Sequence, residues 1–141
     1  MEVRTRYWGV VEVEEDRVIH FPEGIPGFPE ARRFALLGEP GGVFLWLQSV
    51  DCPEVALPVA DPFTLFDNYE VPLDPADVEL LSVTSPQEVA VLVVVTVRSD
   101  PLQATANLAA PILVNTDRRL GRQKVLADSS YSVRHPLFST A

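Results

Sequence analysis

Several residue types that carry chemistry are scarce in this sequence. Cys52 is the only cysteine, so neither an internal disulfide nor the paired-cysteine spacing of a zinc site can form. The two histidines, His20 and His135, lie far apart and form no HExxH pattern. The glycine-rich pieces match neither a P-loop nor a dinucleotide fingerprint, and no GxSxG elbow occurs. We therefore expect no metal site, no cofactor and no catalytic residue.

Long hydrophobic runs are also missing. The opening MEVRTRYWGV alternates charged and bulky residues and has no apolar core of a signal peptide. The longest apolar run, residues 89–97, is too short to cross a bilayer core of about 30 Å. At 141 residues with 47% hydrophobic residues, the chain suits one folded domain spanning 1–141. We expect a cytoplasmic protein that contacts no membrane.

Lysine and arginine are absent from a stretch of 64 residues, from Phe34 to Val97, and the net charge of the whole chain is −9. Such a stretch disfavours nucleic acid and anionic lipid, because both are bound through cations. It favours a basic partner, although a merely solubilising surface would show the same composition. Ten acids occupy the stretch: Glu39, Asp51, Glu54, Asp61, Asp67, Glu70, Asp74, Asp77, Glu79 and Glu88.

The hydrophobic pattern favours β-strands. Thirteen prolines and seven glycines interrupt the chain at the spacing typical of an all-β sandwich or barrel. Glu15-Asp16 indicates a hairpin turn between two strands, and Asp74-Pro75 indicates a helix start that runs to Leu81. Strands are predicted over residues 3–7, 10–14, 17–21, 34–37, 43–49, 55–59, 89–97, 103–108, 112–115 and 123–127.

One segment contains the residue types of a hydrolase. Asp128-Ser129-Ser130-Tyr131-Ser132-Val133-Arg134-His135 brings together a carboxylate, hydroxyls and an imidazole. A turn capped by Asp128 explains the same residues without chemistry. A small β-barrel hydrolase working through Asp128–His135 is the alternative function, and a module that only stabilises another complex is a third.

Five motifs, in order and at matching spacings, resemble the flagellar assembly factor FliW family. They cover nearly the whole chain, and together they are much more specific than any one alone. The matching segments are FPEGIPGF at 21–28, LQS at 47–49, DPF at 61–63 with DNYE at 67–70, NLAAPILVN at 107–115 and YSVRHPL at 131–137.

The resemblance implies an antiparallel β-rich pseudobarrel capped by one or two short helices, without a cofactor or a reaction. Members of this family bind flagellin in the cytoplasm. They also bind CsrA, a small basic RNA-binding dimer that represses translation of flagellin messages. Free factor holds CsrA and permits translation, whereas flagellin occupies the factor when it accumulates. Direct binding of nucleic acid is not expected, and the negative net charge favours a monomer.

The resemblance and the acidic stretch together predict partner-binding residues. The Asn107–Asn115 segment is interpreted as two strands around a Pro111 kink, at an edge that either accepts a partner's strand or is only structural. The C-terminal residues of the set either contact a partner or fasten the tail to the barrel. The predicted set is Asp67, Asn68, Tyr69, Glu70, Asp74, Asp77, Asn107, Asn115, Tyr131, Arg134 and His135.

Overall fold

The computed structural model describes residues 1–38, 44–97, 99–100, 103–126 and 130–137. Within these ranges the chain forms eleven strands and two short helices. The strands are β1 (Glu2–Arg4), β2 (Val10–Glu12), β3 (Ile19–His20), β4 (Arg33–Leu37), β5 (Leu45–Ser49), β6 (Ala56–Ala60), β7 (Val89–Thr96), β8 (Thr105–Ala106), β9 (Ile112–Asn115), β10 (Leu120–Gln123) and β11 (His135–Pro136); the helices are α1 (Pro62–Leu65) and α2 (Pro75–Leu80).

The main sheet closes into a barrel through β7. Seven strands follow one another around it in the order β7, β6, β5, β4, β3, β10, β9, and β9 pairs back onto β7. The first half of β7 pairs with β9, and its end pairs with β8, which in turn carries β11. The predicted all-β pseudobarrel is confirmed. One pairing departs from the antiparallel prediction, because β3 and β10 run parallel.

The barrel interior is filled by the apolar residues of alternating strand positions. Phe21 and Phe34 are fully buried and meet edge to face, with ring centroids 5.1 Å apart. Gly121 lies beneath Phe21, where an added Cβ would come within 2.6 Å of the ring. A second group of buried residues, including Tyr69, Val93 and Leu137, lies where β7, β8 and the C-terminal segment meet. Leu65 and Phe66 pack against this second group, which therefore fixes the end of α1 on the barrel.

The predicted N-terminal hairpin is wrong. Residues 15–17 form a 3-10 turn, and the hairpin instead joins β1 to β2 through Thr5–Gly9, where the Thr5 amide donates to the Gly9 carbonyl. Gly9 supplies a φ of +64°, which glycine adopts without strain. The hairpin contacts β5 through the Arg6 amide, which donates to Oε1 of the buried Gln48 at 3.0 Å.

The other predicted elements hold with changed ends. Residue 127 of the strand predicted at 123–127 lies outside the described residues. The strand in this region is Leu120–Gln123, because a turn at 116–119 returns the chain directly from β9. The predicted strand at 103–108 is reduced to β8, and residue 43 of the strand predicted before β5 lies outside the described residues. The predicted helix is confirmed as α2, whereas α1 was not predicted.

Candidate functional site: the surface around the two helices

A buried carboxylate holds α2 against the barrel. Asp77 is fully buried, and its Oδ1 accepts a hydrogen bond from Arg122 Nη1 of β10 at 2.8 Å. Lys124 pairs with the second oxygen of Asp77 and also with Asp74, at 3.3 Å. Arg122 makes a further ion pair with Glu23, at 3.3 Å. Asp77 therefore cannot contact a partner, which corrects its place in the predicted set.

The start of α2 is a reciprocal cap. The Asp77 amide donates to the Asp74 side chain at 2.9 Å, and the Asp74 amide donates to the Asp77 side chain at 3.0 Å. The pKa of Asp74 is lowered chiefly by the hydrogen bond from the Asp77 amide, and Lys124 adds to this effect. Asp74 is exposed, but its charge is already partnered. The α2 end of the acidic stretch is thus largely neutralised by two cations that lie outside the stretch.

Tyr69 is also buried rather than exposed, which corrects the expectation for this residue. Its hydroxyl donates to the Leu108 carbonyl at 2.7 Å. Burial, reinforced by the neighbouring Tyr131, raises the pKa of Tyr69 to about 12. Asn68, the preceding residue, is exposed and has a φ of +60°, so it forms the turn that sends the Tyr69 ring inward. The loop that presents Asp67 is therefore fixed by a buried phenol.

Both asparagines of the predicted set, Asn107 and Asn115, make hydrogen bonds within the fold. Asn115 is fully buried, donates to the Leu81 carbonyl at 2.8 Å, and accepts from the amides that open the turn between β9 and β10. Asn107 accepts from the Ala109 amide at 3.1 Å within its own turn. The strands at the two ends of this segment are not open edges, because β8 pairs with β7 and β11, and β9 pairs with β7 and β10. Of the two alternatives for this segment, the strand-accepting one is therefore not available at β8 or β9, and the structural one remains.

The C-terminal residues fasten the tail to the loop after α1. The Tyr131 hydroxyl accepts from the Glu70 amide at 3.0 Å, and the Tyr131 ring meets Tyr69 edge to face with centroids 4.8 Å apart. His135 lies in β11, where its ring meets Phe66 edge to face at 4.8 Å. Arg134 is exposed. These contacts support the fastening interpretation, and they bring Tyr131 and His135 close to the loop of Asp67.

The hydrolase alternative receives no support from the described residues. Asp128 and Ser129 lie outside them. Ser132 Oγ accepts a hydrogen bond from the Arg134 amide, and the His135 ring packs on Phe66. Among the described side chains, no group of three histidine, cysteine or acidic residues could hold a metal ion. Of the helices described, none is long and apolar enough to cross a membrane.

Two exposed aromatic features were not predicted as site residues. Phe63 of α1 is 55% exposed and lies between Asp61 and Asp67 in the chain. Tyr7 and Trp8, at the tip of the β1–β2 hairpin, are 53% and 44% exposed, and both pack edge-on against Trp46. The exposure of Phe63 could have been suspected from Asp61-Pro62, which can cap a helix in the same way as Asp74-Pro75. No local sequence pattern indicates the contact of Tyr7 and Trp8 with Trp46, because Trp46 lies in the distant strand β5.

The fold and this surface define a small closed β-barrel whose helices and C-terminal tail present acidic and aromatic side chains at the surface. Residues 2–137 match the model of the family described as FliW protein. The chain therefore belongs to the FliW family of flagellar assembly factors.

Similar proteins agree along nearly the whole chain. The flagellar assembly factor FliW of Geobacillus sp. (strain WCH70) is 39% identical over 138 residues, covering 98% of this chain and 96% of the relative. The FliW of Bacillus subtilis (strain 168) is 40% identical over 138 residues, covering 97% and 96%. A crystal structure of the flagellar assembly factor FliW superposes with a TM-score of 0.93 at 39% identity, covering 99% of this chain and 98% of that one.

Proposed function

We propose that this protein is a non-enzymatic, cytoplasmic regulator that binds flagellin and the translational repressor CsrA, and so couples the amount of flagellin to its translation. It acts as one monomeric domain over residues 1–141, without a cofactor and without direct contact to nucleic acid or membrane. Membership of the flagellar assembly factor family supports the flagellar role. The partners are proposed from the chemistry of two surfaces.

The CsrA proposal is supported by exposed acids other than Asp74 and Asp77, the two acids that Arg122 and Lys124 neutralise. Asp61, Asp67 and Glu70 are exposed, and no ion pair to any of them occurs within the described ranges. We call these three residues the α1 acidic surface. The α1 acidic surface belongs to the stretch without lysine or arginine, so no neighbouring residue in that stretch would repel a basic protein. Complementary charge of this kind acts mainly on the association rate and on partner choice.

The flagellin proposal is supported by the aromatic cluster of Tyr7, Trp8 and Trp46. Tyr7 and Trp8 are about half exposed and make edge-to-face contacts with the partly buried Trp46, so the cluster is a preorganised apolar surface. The termini of filament-forming flagellins are apolar and helical, and such helices dock on hydrophobic surfaces. Because this cluster and the α1 acidic surface are separate sets of residues, we expect charge reversal to affect CsrA far more than flagellin.

Association kinetics with purified CsrA and purified flagellin, at two salt concentrations, test the proposal. The test variant reverses two charges of the α1 acidic surface, Asp67→Lys with Glu70→Lys. The control reverses two exposed acids of the 3-10 turn, Glu15→Lys with Asp16→Lys, and changes the net charge equally. Solvated charges are screened beyond about 8–10 Å at physiological salt, so the effect should be largest at low salt.

We expect CsrA to associate with the test variant roughly ten-fold more slowly at low salt, and with the control variant at nearly the normal rate. Flagellin binding should persist in both variants. Equal slowing in the two variants would mean that only net charge matters. Absence of binding between the unmodified protein and both partners would overturn the proposed function as a whole.

A further inference from the structure

A cleft of about 370 Å³ opens between the loop that follows α1 and the C-terminal segment. It shares Asp67 with the α1 acidic surface, and four of its nine lining residues carry rings, which we call the aromatic wall. The lining residues that carry the argument are Leu65, Phe66, Asp67, Tyr69, Tyr131 and His135.

The aromatic wall consists of two edge-to-face pairs. Tyr69 meets Tyr131, and Phe66 meets His135, each with ring centroids 4.8 Å apart. Both tyrosine hydroxyls are engaged with main-chain groups, since Tyr69 donates to the Leu108 carbonyl and Tyr131 accepts from the Glu70 amide. These hydrogen bonds fix the two tyrosine rings. The more exposed rings of Phe66, Tyr131 and His135 supply most of the aromatic surface of the cleft.

The charge of the cleft has one sign. The Asp67 carboxylate is exposed at the cleft, and neither lysine nor arginine is among the described residues that line it. The Tyr69 phenol keeps its proton, because burial and Tyr131 raise its pKa to about 12. Aromatic faces carry negative quadrupole potential and attract cations, most often arginine, whose flat and weakly hydrated guanidinium also stacks on rings and pairs with a carboxylate.

We propose that this cleft receives an arginine side chain of a protein partner, with the guanidinium at Asp67 and the methylene stem against the aromatic wall. The inference rests on the proposed function in one respect, namely that the partner is basic. It goes further than the proposed function because it names one position, the cleft, and one type of partner side chain, arginine, that binds there. Lysine fits less well, because its compact and strongly hydrated ammonium gains less from a flat aromatic wall.

A titration with a single amino-acid probe tests the cleft without any protein partner. The full chain is followed by two-dimensional NMR. It is titrated with N-acetyl-arginine amide and, separately, with N-acetyl-citrulline amide, which has nearly the same shape but no charge. Binding of one amino acid is weak, so millimolar probe concentrations are used.

We expect saturable shifts at Phe66, Asp67 and Tyr69 with the arginine probe, and roughly ten-fold weaker binding of the citrulline probe. Asp67→Asn should weaken the arginine probe by roughly two- to five-fold, as expected for an exposed ion pair. The matched control, Glu79→Gln, removes one exposed acid of α2 that does not line the cleft and should change nothing. Equal binding of both probes, or shifts elsewhere only, would overturn the proposal.

The same variants separate the cleft from the general function. If CsrA binds the unmodified protein and Asp67→Asn speeds its dissociation while Glu79→Gln does not, the directional site is supported, because local contacts act on dissociation. If the two variants bind CsrA identically, the cleft is not used and only the diffuse surface remains. If CsrA does not bind at all, the proposed function fails, and the probe titration alone decides whether the cleft takes a guanidinium.

Discussion

Replacing Asp77 tests the structural assignment of the α2 acids. Asp77→Ala removes the carboxylate that Arg122 and Lys124 share, and it also removes one half of the helix cap formed with Asp74. Because Asp77 is fully buried, the substitution should lower the stability of the fold and not change a partner surface directly. The matched variant Asp74→Ala removes the exposed half of the same cap.

The expected loss of unfolding free energy depends on the ion pairs that Arg122 and Lys124 retain in the Asp77→Ala variant. Breaking a buried ion pair by removing one partner typically costs about 3–5 kcal/mol. Arg122 retains Glu23 and Lys124 retains Asp74, each at 3.3 Å, and the two cation side chains are 26% and 12% exposed. Because both cations keep a second carboxylate and some contact with water, we place the charge contribution at about 2 kcal/mol, below that range, and add about 1 kcal/mol for the cap. Asp77→Ala should cost about 3 kcal/mol, and Asp74→Ala about 1 kcal/mol.

Urea unfolding followed by far-ultraviolet circular dichroism measures both losses. With a denaturant slope of about 2 kcal/mol per molar, Asp77→Ala should lower the midpoint by about 1.5 M and Asp74→Ala by about 0.5 M. Asp77→Asn, which keeps the size and one acceptor but not the charge, should fall between them. Equal midpoints for Asp77→Ala and Asp74→Ala would refute the reasoning, because Asp77 would then act only as a cap.

The remaining predictions concern the turn glycines, acid stability and the aromatic cluster. Gly27→Ala should cost about 1–3 kcal/mol in chemical unfolding from its φ of +90° alone, whereas Gly24→Ala should cost more, because its Cβ would also lie 2.8 Å from a carbonyl oxygen. Partial burial works to raise the pKa of Asp51, but hydrogen bonds from two backbone amides and the Arg33 guanidinium outweigh it and hold the pKa below its usual value. Asp51 therefore stabilises the fold at pH values above its unfolded pKa of about 3.9, and this stabilisation is lost as the pH falls through the lowered folded pKa. Asp51→Asn should flatten the pH profile of the melting temperature in that acidic range. An unchanged profile would contradict the assignment. Trp8→Ala should weaken flagellin binding in calorimetry by roughly ten-fold while CsrA binding is kept, and unchanged flagellin binding would remove the aromatic cluster from the proposed site.

The parts of the fold that follow from local chemistry could be predicted. Asp74-Pro75 specifies a helix start through a cap acceptor and a residue that needs no amide partner, and α2 begins there. The β-branched run after Glu88 specifies a strand, and β7 is that strand. A glycine directly after a proline is typical of a turn, and Gly27, which follows Pro26, has a positive φ.

The parts decided by distant pairing could not be predicted. Glu15-Asp16 has the composition of a hairpin turn, yet β2 pairs with β1 and β3 pairs with β4 and β10. No local pattern distinguishes these partners, because strand pairing is chosen by which apolar faces meet across the barrel. The parallel contact of β3 with β10 depends on the same closure, which joins positions about a hundred residues apart, such as His20 and Leu120.

The candidate site shows the same limit in the charges. In the sequence, Asp67, Asp74 and Asp77 are equal members of a stretch without cations. Their roles separate only when β10 places Arg122 and Lys124 against α2, so that Asp77 becomes part of the core while Asp67 stays in water. A buried, neutralised ion pair contributes little to the electrostatic potential outside the protein, whereas an exposed carboxylate contributes to it. Only the exposed acids can therefore steer association. The part of the acidic stretch that remains exposed and unpaired is therefore decided by cations that lie outside it in the chain.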